Sequence, residues 1–396
     1  MANIHPFPAR MASDLASAHL KQIASSAEDR ALTIVDPMCG SGTVIRESVN
    51  LGFNALGFDM DPLAVLMSRV STNSYDSTVL MSTAKTIESM ARKIVDVPVL
   101  WDDEETQEFA EFWFGEKQRE QLSRLSIIIS EMEPSNIKDA LGLALSRLID
   151  TKSPKASLAS DTSHSRPHRT ISPEDNDYNV YDGFLSSVKR IAKLLDHPRY
   201  PGSAKVKLGD ARKLNIPDGS VDAVITSPPY LNAIDYLRGH RLSLIWLGYS
   251  IPELRAIRSD SIGANRAISA SADERVLHLV ECIKQDEENI SDISLLPIKM
   301  LQRYAYDLLA FSSEIKRICK AGASVVIVIG NSSIKGNFIR NDLLMEKALE
   351  AHGVRLHERA TREIPDSSRY LPIRTSNQDS SLHRRMREEV VLLAYV

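Results

Sequence analysis

The chain has only three cysteines in 396 residues, Cys39, Cys282 and Cys319, and no two form a Cys-x-x-Cys pair. That spacing excludes a disulfide scaffold and a cysteine-based zinc site, and it fits a reducing compartment. No apolar run approaches bilayer-spanning length, and residues 1–6 lack the basic-then-apolar pattern of a secretory signal. The expectation is a cytoplasmic protein with no membrane partner. A surplus of positive charge is also missing, since the formal net charge is −4. Any nucleic-acid-binding face must therefore be a local patch on an acidic background. No internal repeat is visible. What is present is ordinary for a globular protein: 43% hydrophobic and 25% charged residues, with length for one large domain or two smaller ones.

Short apolar, β-rich runs stand at 32–35, 54–58, 204–208, 221–225, 323–329, 355–364 and 389–395. Helical patterns fall at 12–28, 44–51, after Asp61-Pro62, and at 343–351 before Gly353. Residues 76–150 change character, with helices expected at 77–96, 116–131 and 134–150, and another at 180–195. Asp102 to Glu105 reads as a solvated helix start. Residues 152–176 are polar and aperiodic, which marks a long loop, either functional or a linker. A helix is expected from Tyr230 through Leu247, irregular chain at 250–272, and a long helical stretch to about Lys320. The sum is an α/β alternation interrupted by a helical insertion.

Two turns carry the chemistry. The first run ends in Asp36-Pro37-Met38-Cys39-Gly40-Ser41-Gly42-Thr43 and opens a helix. The glycines let the backbone approach a ligand closely. A leading acid repels a phosphate, so this turn suits a cationic ligand better than a dinucleotide. Asp59 ends the second run, where an acid can accept both hydroxyls of a ribose or serve as a helix cap; Asp61 offers the better cap. Met60 packs against an adenine or belongs to the core. Asp210 ends the third run and reads either as an acceptor or as a turn residue. Cys39 reads as a small apolar filler.

The second turn is Thr226-Ser227-Pro228-Pro229-Tyr230, after the run 221–225. Two prolines cannot extend a helix or donate to a sheet ladder, so the chain leaves the strand stiffly. The turn offers one hydroxyl, carbonyl acceptors and one aromatic face, which suit a flat ring bearing an exocyclic amine. It holds no His, Cys or Lys nucleophile. That absence points to chemistry in which the substrate nitrogen is itself the nucleophile.

Ser227-Pro228-Pro229-Tyr230 resembles the catalytic motif of S-adenosylmethionine-dependent amino DNA methyltransferases, and its Ser-initial form resembles the N4-cytosine enzymes most. The Asp36–Thr43 turn resembles their cofactor motif, and His5-Pro6-Phe7-Pro8-Ala9-Arg10 their N-terminal motif. The resemblance covers about 1–75 and 200–396 as a catalytic core and leaves 76–199 as a helical insertion with a polar basic loop. It implies a Rossmann-like seven-stranded methyltransferase sheet with the last two strands consecutive, and S-adenosylmethionine as cofactor. Phe7, Asp36, Met38, Gly40, Gly42, Thr43, Asp59, Met60 and Asp210 would hold that cofactor. The base leaves the duplex, Tyr230 stacks on it, and Ser227 and the Pro228 carbonyl accept from its amine. No metal is needed. The cofactor motif precedes the catalytic turn here, unlike in many N4-cytosine enzymes, so the resemblance does not place the target-recognition segment.

DNA is the expected partner, with a cognate restriction endonuclease as a possible second one. Arg166 and Arg169, with Lys152, Lys155, His164 and His168, lie in the polar loop and suit phosphates, unless that loop is a plain linker. Arg238, His240 and Arg241 follow the catalytic turn and are expected to reach phosphates beside an extruded base. Arg359, Arg362, Arg369-Tyr370 and His383-Arg384-Arg385 form a second basic set. An N6-adenine enzyme, an RNA amino methyltransferase and a non-catalytic DNA-binding protein on the same fold remain the alternatives.

Overall fold

The computed structural model describes residues 4–8, 10–25, 31–196, 199–232, 235–264, 273–286, 288–364 and 381–396, with the side chain of residue 383 left out. Seven strands form one sheet: β1 (Thr33–Asp36), β2 (Asn54–Asp59), β3 (Ser203–Leu208), β4 (Val221–Thr226), β5 (Cys319–Gly330), β6 (Arg355–Glu363) and β7 (Glu388–Tyr395). Their order across the sheet is β6-β7-β5-β4-β1-β2-β3. All neighbours are parallel except β7, which runs antiparallel between β5 and β6. The seven expected strands are therefore present, with the last pair consecutive. The chain leaves β1 toward β2 and returns to β4 on β1's other side. The strand order reverses between β1 and β4, the point where open α/β sheets bind ligands.

The sheet is covered on both faces, so its central strands read as near-continuous apolar runs. On β5 and β7 the burial alternates. Val325, Ile327, Ile329, Val390 and Leu392 face one core, with helices α11 (Glu274–Lys284), α12 (Ile298–Ile318) and α13 (Asn341–Glu350). Val326, Val328, Val391 and Leu393 face the other, with α1 (Ser13–Ser25) and α2 (Thr43–Asn50). Every residue of β4 is buried.

After α3 (Pro62–Ser71) come α4 (Ser77–Lys93), α5 (Glu104–Trp113), α6 (Glu116–Glu131), α7 (Asn136–Ser146) and α8 (Val180–Leu194). Asp103 caps α5 by accepting from Thr106 N, so the acidic run is a helix start. These helices build a core of their own around Phe114, Phe184 and Trp246, shared with α3, α9 (Leu237–Leu244) and α10 (Ile251–Asp260). The insertion thus seats directly on helices that border the glycine turn and the proline turn.

Four expectations need correction. The polar segment 152–176 is packed: Ala156, Leu158, Ala159 and Thr162 are buried, Leu158 N donates to Trp113 O, and Ala159–Ser160 pairs with His168–Arg169. Its small apolar residues are too sparse to show a period. The helix after Tyr230 starts only at Leu237, since Asn232 takes a left-handed φ of 57°. The stretch expected to be irregular contains α10. The long helical stretch is two helices, the first ending at Lys284 and the second starting at Ile298 after Pro297. Arg369 and Tyr370 lie outside the described residues.

Candidate active site

The carboxyl ends of β1 and β4 meet across the reversal point. Thr226 Oγ1 donates to Asp36 Oδ1 at 2.7 Å, tying the end of one strand to the end of the other. Asp36 Oδ1 also accepts from Met38 N at 3.2 Å, which starts the glycine turn. Gly40 N donates to Asp59 Oδ2 at 2.8 Å, and Asp61 N to Asp59 Oδ1 at 2.9 Å, so Asp59 pins the turn to the end of β2. Asp61 caps α3, accepting from Leu63 N. Gly40 and Gly42 have φ of 49° and 83°, left-handed conformations that a side chain disfavours. A Cβ on Gly42 would stand 2.4 Å from Ser68 Oγ and 2.8 Å from Ser68 Cα, so glycine here lets α2 close on α3.

A cavity of about 960 Å³ opens on this floor. Phe7, Asp36, Met38, Gly40, Thr43, Asp59, Met60 and Asp210 line it, as do Ser227, Pro228, Pro229, Tyr230 and Arg238. Gly42 is not on the wall; its part is the turn. The N-terminal segment forms a lid: Phe7 stacks on Tyr236 at 4.9 Å, and a Cβ on Gly40 would stand 3.2 Å from the Phe7 ring. Arg10 holds the segment's bend by donating to the Phe7 and His5 carbonyls.

The floor is electrostatically unusual. Burial, aided by Asp59, pushes the Asp36 carboxyl up to about 7 despite the hydrogen bonds from Thr226 and Met38. Burial and neighbouring Asp61 push Asp59 up to about 6. One buried and one half-buried acid lie close together, and no described cation pairs with either. Such a floor accepts a cation and repels a phosphate. Asp210 lines the wall with its carboxylate already gripped by Arg212, whose Nη2 donates at 2.7 Å.

Beneath the floor lies a buried polar chain that sequence reading missed. His240 Nδ1 lies 2.5 Å from Asp61 Oδ2. Ser243 and Ser146 both donate to Asp150 Oδ2, and His5 Nε2 lies 2.8 Å from Ser146 Oγ. Burial lowers His240, but Asp61, Asp150 and Asp59 outweigh it and raise the imidazole; burial pushes His5 well down. The chain joins the lid, α7, α9 and the start of α3. His240, expected to reach phosphates, is instead buried here.

The proline turn is held from two sides. Tyr304 Oη donates to the Pro229 carbonyl at 3.0 Å, and Ser332 Oγ to the Leu231 carbonyl. Asn341 Nδ2 in turn donates to Ser332 Oγ at 2.7 Å. Among the described residues nothing engages the Ser227 hydroxyl or donates to the Pro228 carbonyl, and both residues line the cavity. Tyr230 packs on Gly330, where a Cβ would come within 3.2 Å of its Cδ1.

Five arginines line the cavity beyond the floor. Arg238, Arg255 and Arg258 are each more than half exposed, the first and last beside Asp235 and the second beside Glu105. Arg362 pairs with Glu389, and Arg385 lies over Tyr230. Arg255 and Arg258 ride on α10, whose signal was Ser250 and Glu253, a reciprocal capping box. Arg166, Arg169 and Arg241 are not on the wall. Arg169 and Arg241 lie over the Phe112 and Phe109 rings, each at 5.0 Å.

Sheet order and element order together define a Rossmann-like methyltransferase fold. No protein-family model matches the chain. It is similar to the type II methyltransferase M.MvaI of Kocuria varians, 22% identical over 423 aligned positions, covering 98% of this chain and 89% of that one. It is also similar to the type II methyltransferase M.BsoBI of Geobacillus stearothermophilus, 23% identical over 375 positions, covering 81% and 72%. Among solved structures, a SAM-dependent methyltransferase from Methanosarcina mazei superposes with a TM-score of 0.32 at 10% identity, covering 94% of this chain and 96% of that one.

Proposed function

We propose that this protein is an S-adenosylmethionine-dependent DNA methyltransferase that modifies an exocyclic base amine, N4 of cytosine, at a specific site. The observation that carries this reading is one cavity with an acidic floor, an arginine-rich lining beyond it, and a proline turn offering two oxygens that no described residue engages. Distant similarity to two type II methyltransferases over most of the chain supports DNA as the substrate. A restriction-modification role, with a cognate endonuclease as partner, belongs to the same proposal. None of the described helices is long and apolar enough to cross a membrane.

The floor fits a cationic cofactor. Asp36 and Asp59 line the cavity with no described cation paired to either, and the Phe7 ring lies close against Gly40, closing the lid on the turn. When bound, S-adenosylmethionine supplies an electrophilic methyl group. Asp36 would face its positive charge, and Asp59 its ribose hydroxyls. Tyr230 supplies a stacking face for the extruded base. The Ser227 hydroxyl and the Pro228 carbonyl accept the amine's two N–H groups, drawing the nitrogen lone pair out of the ring. These contacts strengthen as the nitrogen becomes tetrahedral, so they favour the transition state over the ground state. Tyr304 and Ser332 fix the turn beforehand, which supplies orientation.

Sequencing that resolves modified bases, applied to DNA from cells expressing the protein, tests the proposal. N4-methylcytosine at one repeated sequence is the expected result. N6-methyladenine corrects the base, and unmodified DNA from cells containing folded protein overturns the reading.

A further inference from the structure

We propose that Arg385 reads the target base, which deepens the cytosine reading above and rests on it. Helix α14 (Ser381–Arg387) carries three arginines, and two are committed elsewhere. Arg384 lies over the Phe338 ring at 4.3 Å, donates to Asn289 and pairs with Glu388. Arg387 pairs with Glu363. Ser381 anchors the first turn against Ser333. Arg385 differs: its guanidinium lies 5.2 Å over the Tyr230 ring, with Nη2 3.5 Å from the Tyr230 hydroxyl. Among the described residues no carboxylate pairs with it, although Glu388 and Glu389 line the same cavity. Glu389 is occupied by Arg362 at 2.6 Å, and Glu388 by Arg384. An unpaired guanidinium therefore points into the space where the substrate ring must stack.

A base and a guanidinium cannot both lie over one ring face. With Gly330 backing Tyr230, an entering base displaces Arg385 sideways, and the helix anchors keep it within reach of the base edge. A guanidinium only donates, through a planar fork. Beside the amine, cytosine presents two adjacent acceptors, N3 and O2, which match the fork. On the matching edge adenine presents one acceptor, N1, next to a C–H, and its N7 stands on the opposite side of the amine where no second acceptor adjoins it. Arg385 thus favours cytosine over adenine while leaving the amine to Ser227 and Pro228. A good bidentate arginine–base contact discriminates by roughly 1–3 kcal/mol, about five- to 150-fold.

The test uses purified full-length wild type, Arg385→Ala and Arg385→Lys. The substrates are duplex oligonucleotides carrying the methylated site, with either cytosine or an analogue that keeps N3 and the amine but lacks O2. Wild type should lose at least fivefold in kcat/KM on the analogue. Arg385→Ala should lose as much on cytosine and lose little more on the analogue. Arg385→Lys should recover only part, because an ammonium has no fork. Cofactor affinity by calorimetry should stay within twofold. Equal penalties for the analogue in wild type and Arg385→Ala overturn the proposal. So does an Arg385→Ala effect confined to KM with a flatter salt dependence, which marks a phosphate contact. Wild type that binds cofactor but methylates only adenine overturns base reading, whereas wild type inactive on all DNA defeats the underlying functional reading itself.

Discussion

Replacing Asp36 with Asn should weaken cofactor binding while strengthening the fold, and both effects should depend on pH. The substitution keeps the size of the side chain and an Oδ1 that still accepts from Thr226 Oγ1 and Met38 N, so the turn stays built. Only the charge is lost. A unit charge facing a ligand cation at about 4 Å is worth roughly 4 kcal/mol at an effective dielectric of about 20. Solvation of the free carboxylate takes back part of that. A net loss of about 2 kcal/mol, near thirtyfold in Kd, is expected at pH 8.

The sign with pH follows from the carboxyl's position. Asp36 is 3% exposed and titrates at about 7 in the fold, against an ordinary carboxyl near 3.8. The folded state therefore binds the extra proton between those values, and stability falls as pH rises through that window. Ionised Asp36 costs the fold roughly 4 kcal/mol at pH 8 relative to acid, and Asn removes that cost. A cation selects the ionised form, so wild-type affinity should rise from pH 6 to pH 8 with proton release on binding. Calorimetry in buffers of different ionisation enthalpy, with thermal unfolding of both proteins, reads all of this. Equal affinity of the two proteins at pH 8, or an Asn variant less stable than wild type there, refutes the reasoning.

Other outcomes follow from the same geometry. Tyr230→Phe should keep much of the turnover, while Tyr230→Ala should lose the stacking face, roughly 1–3 kcal/mol, with cofactor affinity unchanged by calorimetry. Gly42→Ala should lower stability by about 2–4 kcal/mol in denaturant unfolding, since its Cβ meets the Ser68 backbone at a φ of 83°. Arg255→Ala with Arg258→Ala should make the log–log salt dependence of DNA binding shallower by roughly two units; the Arg166→Ala, Arg169→Ala pair, away from the cavity wall, should change it less.

The two candidate site turns were legible because each sits where an apolar strand stops. Asp36, Asp59 and Ser227 follow buried runs, and the glycines and prolines mark the exits. Other parts had no local signal. The buried contact between His240 and Asp61 joins residues 179 positions apart, and nothing beside His240 distinguishes it from its surface neighbours Arg238 and Arg241. α10 buries only Ile251 and Leu254, too few for a visible period, although its Ser250–Glu253 capping box was there to be read. The segment 152–176 looked like solvent-exposed chain because hydroxyls and small residues, not large apolar ones, fill its packed side.

Methyl transfer from labelled S-adenosylmethionine to DNA in vitro, with the product base identified by mass spectrometry, tests the central claim most directly. Wild type should yield labelled N4-methylcytosine in DNA. Ser227→Ala should lower that rate more than it lowers DNA affinity, because the hydroxyl's contact matters most as the nitrogen becomes tetrahedral. Label found only in RNA, or wild-type turnover by Tyr230→Ala, would contradict the account.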